Sequence, residues 1–284
     1  MTMIILLDVG NTRVKVGWTH KKTAQREPAP FAVCHADIGQ LSQWLRALPF
    51  AVDAAWGVNV AGEMAALAVR ELVLEHTGKT VHWVTSRAYA GHVHNKYEVP
   101  AQLGADRWVS MVGLAQRASQ AQLNAAADVS TPFMLASFGT ATTIDTLGPA
   151  TPAGDRDFEG GLILPGPQLM RTSLSAGTAN LPFASGAAAD YPVHTHQAIV
   201  TGIAAAQAGA VVRQWRTGVE RYGRPPRVFS SGGGWDLVKD ETQRILAVSQ
   251  RDLGLPSQPI EFLSAPVLDG LACLAAQEPS SGVD

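Results

Sequence analysis

A strand, a glycine turn and a returning strand are written twice in this chain, and few folds open both of their halves that way. The first copy is Ile4-Ile5-Leu6-Leu7, then Asp8-Val9-Gly10-Asn11-Thr12, then Val14-Lys15-Val16-Gly17-Trp18. The returning run alternates apolar and polar residues, as a strand covered on one face should. The second copy is Phe133-Met134-Leu135-Ala136, then Ser137-Phe138-Gly139-Thr140-Ala141, then Thr142-Thr143-Ile144-Asp145. Superposed, Gly139 falls on Gly10 and Ser137 on Asp8. The repeat implies a duplicated α/β architecture, two lobes with a cleft between them.

The rest of the pattern agrees. Strands are expected at residues 31–34, 51–60 and 81–84. Asp37 is expected to cap a helix with Ile38, Leu41, Leu45 and Leu48 on one face, and Ala65, Val69, Leu72 and Val73 mark a second helix. Residues 87–102 read as polar and irregular, before a helix with an apolar face of Trp108, Met111, Val112 and Ala115. The Ala-, Gln- and Ser-rich segment 118–132 reads as the joint, which gives an N-terminal lobe over 1–118 and a C-terminal lobe over 119–284. In the second lobe, the run from Gly160 to Gly166 leads to a short helix. A loose stretch over 175–189 precedes a long helix carrying Ile199, Ile203, Ala206 and Ala210 on one face. A strand at 227–230 enters Ser231-Gly232-Gly233-Gly234, and the tail after residue 279 is expected to be disordered.

Composition removes several function classes. Of 284 residues, 46% are hydrophobic and 16% charged, enough apolar material for sizeable cores. The 22 Lys+Arg against 24 Asp+Glu leave a net charge of −2, so no electrostatic footprint for nucleic acid exists. The basic residues Lys21, Lys22 and Arg26 read as a solvated loop. Two cysteines, Cys34 and Cys273, argue against a disulfide framework and for a reducing compartment. The apolar run at residues 3–7 lacks the features of a signal peptide, and no stretch approaches membrane-span length. A cytoplasmic address is expected, with no membrane or nucleic-acid partner.

The glycine turns carry the chemistry. Gly10 lets a phosphate approach the backbone, whose N–H groups, with the Asn11 and Thr12 side chains, can donate to its oxygens. Asp8, at the end of a buried strand, can hold Mg²⁺ or its waters. A second turn at Gly139-Thr140 makes a two-sided phosphate clamp, and the glycines after Ser231 allow a flat purine against backbone. Asp106 is the candidate general base, which in phosphoryl transfer mainly orients the attacking hydroxyl. Arg107 can neutralise a substrate carboxylate or a phosphate oxygen. An ordinary hairpin turn and a helix-dipole acid are the bland readings of Gly10 and Asp106. Gly78-Lys79-Thr80 imitates a P-loop, but Val73 occupies the position of the first glycine and a strand follows. The pairs His92/His94 and His194/His196 lack a partner carboxylate and are expected to be loop histidines.

Four ordered motifs, Asp8-Val-Gly-Asn-Thr, Gly104-Ala-Asp-Arg, Gly139-Thr-Ala-Thr-Thr and Gly160-Gly-Leu-Ile-Leu-Pro-Gly, resemble those of the type III pantothenate kinases over nearly the whole chain. The resemblance implies the fold of the acetate and sugar kinase/Hsp70/actin superfamily: two duplicated ribonuclease-H-like, actin-like α/β lobes with mixed β-sheets and a nucleotide cleft between them. It implies ATP-dependent phosphorylation of pantothenate to 4′-phosphopantothenate, which opens coenzyme A synthesis, and a homodimer. Phosphate contacts would fall on Asp8, Val9, Gly10, Asn11, Thr12, Arg13, Val14 and Lys15, and on Gly139 and Thr140. Adenosine contacts would fall on Gly232 and Gly233. Pantothenate contacts would fall on Tyr97, Gly104, Ala105, Asp106, Arg107 and Thr195, with Asp106 as the base and Mg²⁺ near Asp8. Many members carry an aspartate before the Phe-Gly-Thr of the second motif, where it helps bind a monovalent cation. Here Ser137 replaces it, so dependence on K⁺ or NH₄⁺ is expected to be weak or absent. The rival readings are a non-catalytic transcription accessory factor of the same family, an Hsp70- or actin-like ATPase, and a sugar or acid kinase of the superfamily.

Overall fold

The apolar run at the amino terminus is the centre of a sheet. A computed structural model of the chain describes residues 3–21, 23, 25–123 and 130–277. The middle of the expected joint and the tail after residue 279 lie outside the described residues. The chain divides into two compact units, one made of Met1–Asp128, Thr151–Phe158 and Ala265–Asp284, the other of Val129–Ala150 and Glu159–Ser264. The expected cut after residue 118 falls within a helix of the first unit.

In the first unit β1 (Met3–Val9) is buried at every residue except Asp8, as a strand covered on both faces must be. β2 (Arg13–His20) runs antiparallel to it and β3 (Phe31–Cys34) antiparallel to β2. After helix α1 (Gly39–Arg46), β4 (Val52–Asn59) lies parallel to β1; after α2 (Glu63–Thr77), β5 (Val81–Trp83) lies parallel to β4. The order is therefore β3-β2-β1-β4-β5. Ile5, Leu7, Val14, Val16, Leu41, Leu45, Val69 and Val73 form one core between sheet and helices. Asp37 does not cap α1. It lies in a 3-10 turn, His35–Asp37, and Ile38 after it is already helical (φ −55°, ψ −23°), so no extended residue remains at which a carboxylate could cap. Gly78 closes α2 in the left-handed conformation (φ 68°), which explains why Gly78-Lys79-Thr80 cannot be a phosphate loop.

The segment expected to be irregular holds a small hairpin, β6 (Tyr89–Ala90) and β7 (Val93–Asn95), turned by Gly91 and His92, both at positive φ. It leads to α3 (Ala105–Leu123), whose residues Trp108, Met111, Val112 and Ala115 are buried as expected.

The second unit repeats the plan. β8 (Phe133–Phe138) and β9 (Ala141–Leu147) are antiparallel, and β10 (Arg156–Pro165) follows β9 in the sheet. The first residues of β10, Arg156 to Phe158, belong to the first unit and pair parallel with β7. Helices α4 (Pro167–Gly177) and α5 (Thr195–Tyr222) precede β11 (Arg227–Ser231), which lies parallel to β8. After α6 (Lys239–Asp252), β12 (Glu261–Phe262) lies parallel to β11. The order β12-β11-β8-β9-β10 is that of the first sheet: a central strand, its antiparallel hairpin partner and a third strand on one side, two parallel strands on the other. Both units are mixed α/β, as the duplicated hairpins implied. On α5, Ile199 and Ile203 are buried but Ala206 is exposed, and the buried stripe passes instead through Ala204, Gln207, Ala208, Val211 and Trp215. Alanine contrasts too little with its neighbours to mark a face by sequence.

The chain ends in α7 (Pro266–Gln277), which crosses α3 inside the first unit. The crossing is close: a Cβ on Gly270 would lie 1.9 Å from the Val109 carbonyl oxygen. Arg26, expected in a solvated loop, is instead half-buried beside this helix. It pairs with Glu27 and Asp269 (2.5 and 3.0 Å) and donates to the Ala265 carbonyl at 2.9 Å.

Candidate functional site

Each hairpin turn is tight because its glycine is. The Gly10 N–H donates to the Arg13 carbonyl at 3.1 Å, and a Cβ on Gly10 would lie 3.3 Å from that oxygen. The Gly139 N–H donates to the Ala141 carbonyl at 3.0 Å, with the same 3.3 Å clearance. Asn11, Thr12, Gly139 and Thr140 are exposed at the two tips, where an anion can reach backbone N–H groups. The first turn is held from behind by His35, whose Nε2–H donates to the Gly10 carbonyl at 2.7 Å. Nothing in the sequence singled out His35.

Asp8 pairs with Lys15 across the β1–β2 ladder, so both side chains stand on one face of the sheet. Burial pushes the Asp8 carboxyl up to about 6; Lys15 opposes this and the charge of Asp106 adds to it. The end of β1 and the start of α3 are thus electrostatic neighbours in one unit. Asp106 lies in the first turn of α3, where its Oδ1 accepts the Arg107 N–H at 2.8 Å. A Cβ on Gly104 would stand 2.8 Å from that oxygen, so the glycine makes room for a carboxylate turned back over the helix start.

Arg107 is buried and donates from Nη1 to the Tyr97 hydroxyl at 2.9 Å. Its guanidinium carbon lies 5.8 Å from the Tyr97 ring centre and 5.9 Å from that of Phe158. The loop carrying Tyr97 is tied down by buried Asn95, whose Oδ1 accepts the Tyr97 N–H at 3.0 Å and whose Nδ2 donates to the Arg87 and Pro100 carbonyls, both at 3.2 Å. Tyr97, Gly104, Asp106 and Arg107 therefore form one cluster with Asp8 and Lys15. Asn95 and Phe158 belong to its support, and neither was picked out beforehand.

In the second unit three backbone segments converge on the other turn. The Gly166 N–H donates to the Thr140 carbonyl and the Gly234 N–H to that of Phe138, each at 2.9 Å. Gly232 holds φ 92°, and a Cβ there would lie 2.4 Å from the Phe138 oxygen. Gly233 faces open space, and Gly166 begins α4, whose N-terminus favours negative charge. Gly139, Thr140, Gly232 and Gly233 are brought together as expected. Thr195 is not among them. It opens α5 and lines an apolar cavity of about 560 Å³ with Met170, Val193 and Ile199.

The histidine pairs have other partners. His92 Nδ1–H and the Tyr89 hydroxyl both donate to Asp155 Oδ1 (2.9 and 3.0 Å), and His194 caps α5 by accepting the Gln197 N–H. Among the described residues no group of three or more His, Cys, Asp or Glu side chains is placed to hold a metal ion. Nor is any described helix long and apolar enough to cross a membrane.

Comparison with known proteins identifies the family. The profile described as type III pantothenate kinase matches residues 4–217. A type III pantothenate kinase of Bordetella pertussis is 50% identical over 277 residues, covering 97% of this chain and 98% of the relative. One from Bordetella petrii is 51% identical over 280 residues, covering 98% and 100%. One from Aromatoleum aromaticum is 36% identical over 281 residues, covering 98% and 100%. With a family profile matched across most of its length and relatives this similar from end to end, the chain belongs to the type III pantothenate kinases.

Proposed function

We infer that the chain transfers the γ-phosphate of ATP to the primary hydroxyl of pantothenate, giving 4′-phosphopantothenate and ADP, the first step of coenzyme A synthesis. The observation that carries the site assignment is the cluster of Asp8, Asp106, Arg107 and Tyr97 within the first unit. Asp106 orients the hydroxyl and accepts its proton as the oxygen–phosphorus bond forms and the bond to ADP breaks. Arg107, pre-oriented by Tyr97 and Phe158, holds the pantothenate carboxylate, a task suited to a rigid, permanently charged fork. Gly104 and Ala105 present backbone to the same substrate, and Thr195 is a further pantothenate contact. The nucleotide phosphates are assigned to residues Asp8 to Lys15 and to Gly139 and Thr140, and adenosine to Gly232 and Gly233.

A Mg²⁺ carried with ATP fits the donor set, because Asp8 is a carboxylate at a strand end and Mg²⁺ is commonly held by one or two carboxylates, phosphates and water. Bound there, Mg²⁺ neutralises phosphate charge. A monovalent cation fits poorly. Ser137 stands opposite Thr143 and Ser231 in the sheet, and these neutral hydroxyls supply none of the charge an aspartate would. A homodimer is supported by the strongly exposed Tyr191 and Val193 (89% and 88%) beside the apolar cavity at Thr195, a face suited to a second copy. A cytoplasmic location follows the same reading.

The test is ADP release with ATP and Mg²⁺, comparing pantothenate with no acceptor and with a panel of sugars and short acids. Pantothenate-dependent release supports the reading. Equal release without acceptor would indicate an ATPase, and binding of ATP without turnover a regulatory protein.

A further inference from the structure

On the buried stripe of α5, among Ile203, Ala204, Ala208 and Val211, stands a fully buried amide, Gln207. Its Nε2 donates to the Pro165 carbonyl at 2.8 Å and to Met170 Sδ at 3.1 Å. Its Oε1 is buried with no hydrogen-bond partner among the described residues. An amide oxygen left so costs stability, and an apolar side chain of similar volume would fill the space without that cost. Packing alone therefore does not account for a glutamine here, and what its donor holds becomes the question. Pro165 and Gly166 share one peptide unit, and among the described residues every peptide bond is trans. In a planar trans unit the C=O and N–H point opposite ways. Gln207 holds the carbonyl side, and on the other side the Gly166 N–H donates to the Thr140 carbonyl at 2.9 Å. One peptide plane is thus clamped between the core and the second glycine turn. The approach is as close as glycine permits, since a Cβ on Gly166 would lie 2.1 Å from the Gly139 carbonyl oxygen. The Gly166 carbonyl in turn accepts the Met170 N–H at 2.9 Å, so Gln207 grips both ends of the first turn of α4.

We propose that Gln207 is a positioning residue for ATP: from the core it sets the Pro165–Gly166 peptide, and through it the Gly139–Thr140 turn and the start of α4, in the geometry that receives phosphate. The proposal rests on the assignment of that turn to the nucleotide phosphates. Being fully buried, Gln207 acts through these backbone groups and not by touching the nucleotide. The Thr140 carbonyl is an oxygen that would repel a phosphate if it swung to the tip, and the Gly166 N–H keeps it turned away. Without Gln207 the Pro165–Gly166 plane is held from one side only, and the turn loses part of its preorganisation.

The experiment uses the full chain and a non-hydrolysable ATP analogue with Mg²⁺ as probe, titrated by calorimetry into wild type, Gln207→Met and Gln207→Asn. Methionine fills the space without a donor. Asparagine keeps an amide that ends one bond short of Pro165, and it carries the test if the methionine variant does not fold. Both variants are expected to bind the analogue about three- to tenfold more weakly, the worth of one hydrogen bond, while pantothenate affinity stays within about twofold. Hydrogen exchange at the Gly166 amide is expected to quicken in both, and Gln207→Met to melt at or above the wild-type temperature. A merely structural glutamine would instead lower Tm and both affinities together, which would overturn the proposal. So would variants that bind the analogue as tightly as the wild type, or an unchanged exchange rate at Gly166. A wild type that binds no analogue would sink the kinase reading itself, an outcome distinct from one in which wild type and variants bind alike.

Discussion

Replacing Asp8 by Asn should stabilise the protein and abolish its activity. The folded structure raises the Asp8 carboxyl from an ordinary 3.8 to about 6, chiefly by burial. The protonated form is therefore the one the fold prefers. The associated stability is fully present below pH ~4 and is lost as the pH rises through ~6. A shift of roughly 2 units corresponds to about 3 kcal/mol above that pH. Asp8 retains some solvent contact, so about 2 kcal/mol is the better figure after screening. Asn keeps the shape without the charge, and its gain should appear as a Tm raised by about 4–8 °C at pH 8. At pH 4, where the native carboxyl is already neutral, wild type and variant should melt together. The assay is thermal unfolding of both proteins without nucleotide across pH 4–8. A variant no more stable than wild type at pH 8, or equally favoured at pH 4, would refute the reasoning. A strand-end carboxylate kept at such a cost is what a site built around phosphate and Mg²⁺ would retain.

Arg107→Lys should raise the KM for pantothenate by about tenfold or more with a smaller change in kcat, because an ammonium cannot reproduce the fork that donates to Tyr97 and, in the proposed role, would also hold a carboxylate; steady-state kinetics with varied pantothenate read this. Gly232→Ala places a methyl 2.4 Å from the Phe138 oxygen at φ 92°, which should cost about 1–3 kcal/mol and weaken ATP binding, measured by calorimetric titration of a non-hydrolysable ATP analogue. Exchange of K⁺ for a bulky organic cation should leave the wild-type rate nearly unchanged, and Ser137→Asp should make the rate rise with K⁺.

The pattern of glycines and strands carried most of the fold. Two turns of the same kind, each at the end of a buried strand, implied two sheets of one plan, and β1 and β8 each prove central with an antiparallel partner. Asp8, Asp106 and Arg107 stood out in the sequence beside glycines, and the structure puts Asp8 within electrostatic reach of Asp106, which Arg107 directly follows. What sequence could not supply was support. His35 and Asn95 act through hydrogen bonds to backbone carbonyls and an N–H, which leave no periodic trace. The β6–β7 hairpin is too short to show alternation, and its turn puts His92 at a positive φ more familiar in Asn or Gly. The closing helix escaped notice because what fixes it is a contact: Gly270 meets the Val109 carbonyl from more than a hundred positions away.

The central claim is that Asp106 serves the transferring hydroxyl and not the fold. The most direct measurement compares wild type and Asp106→Asn for pantothenate-dependent ADP release and, separately, for ATP affinity. The account predicts a fall in kcat of about 10²–10⁴ with ATP binding and Tm little changed. Near-normal turnover, or a parallel loss of ATP affinity and Tm, would contradict it.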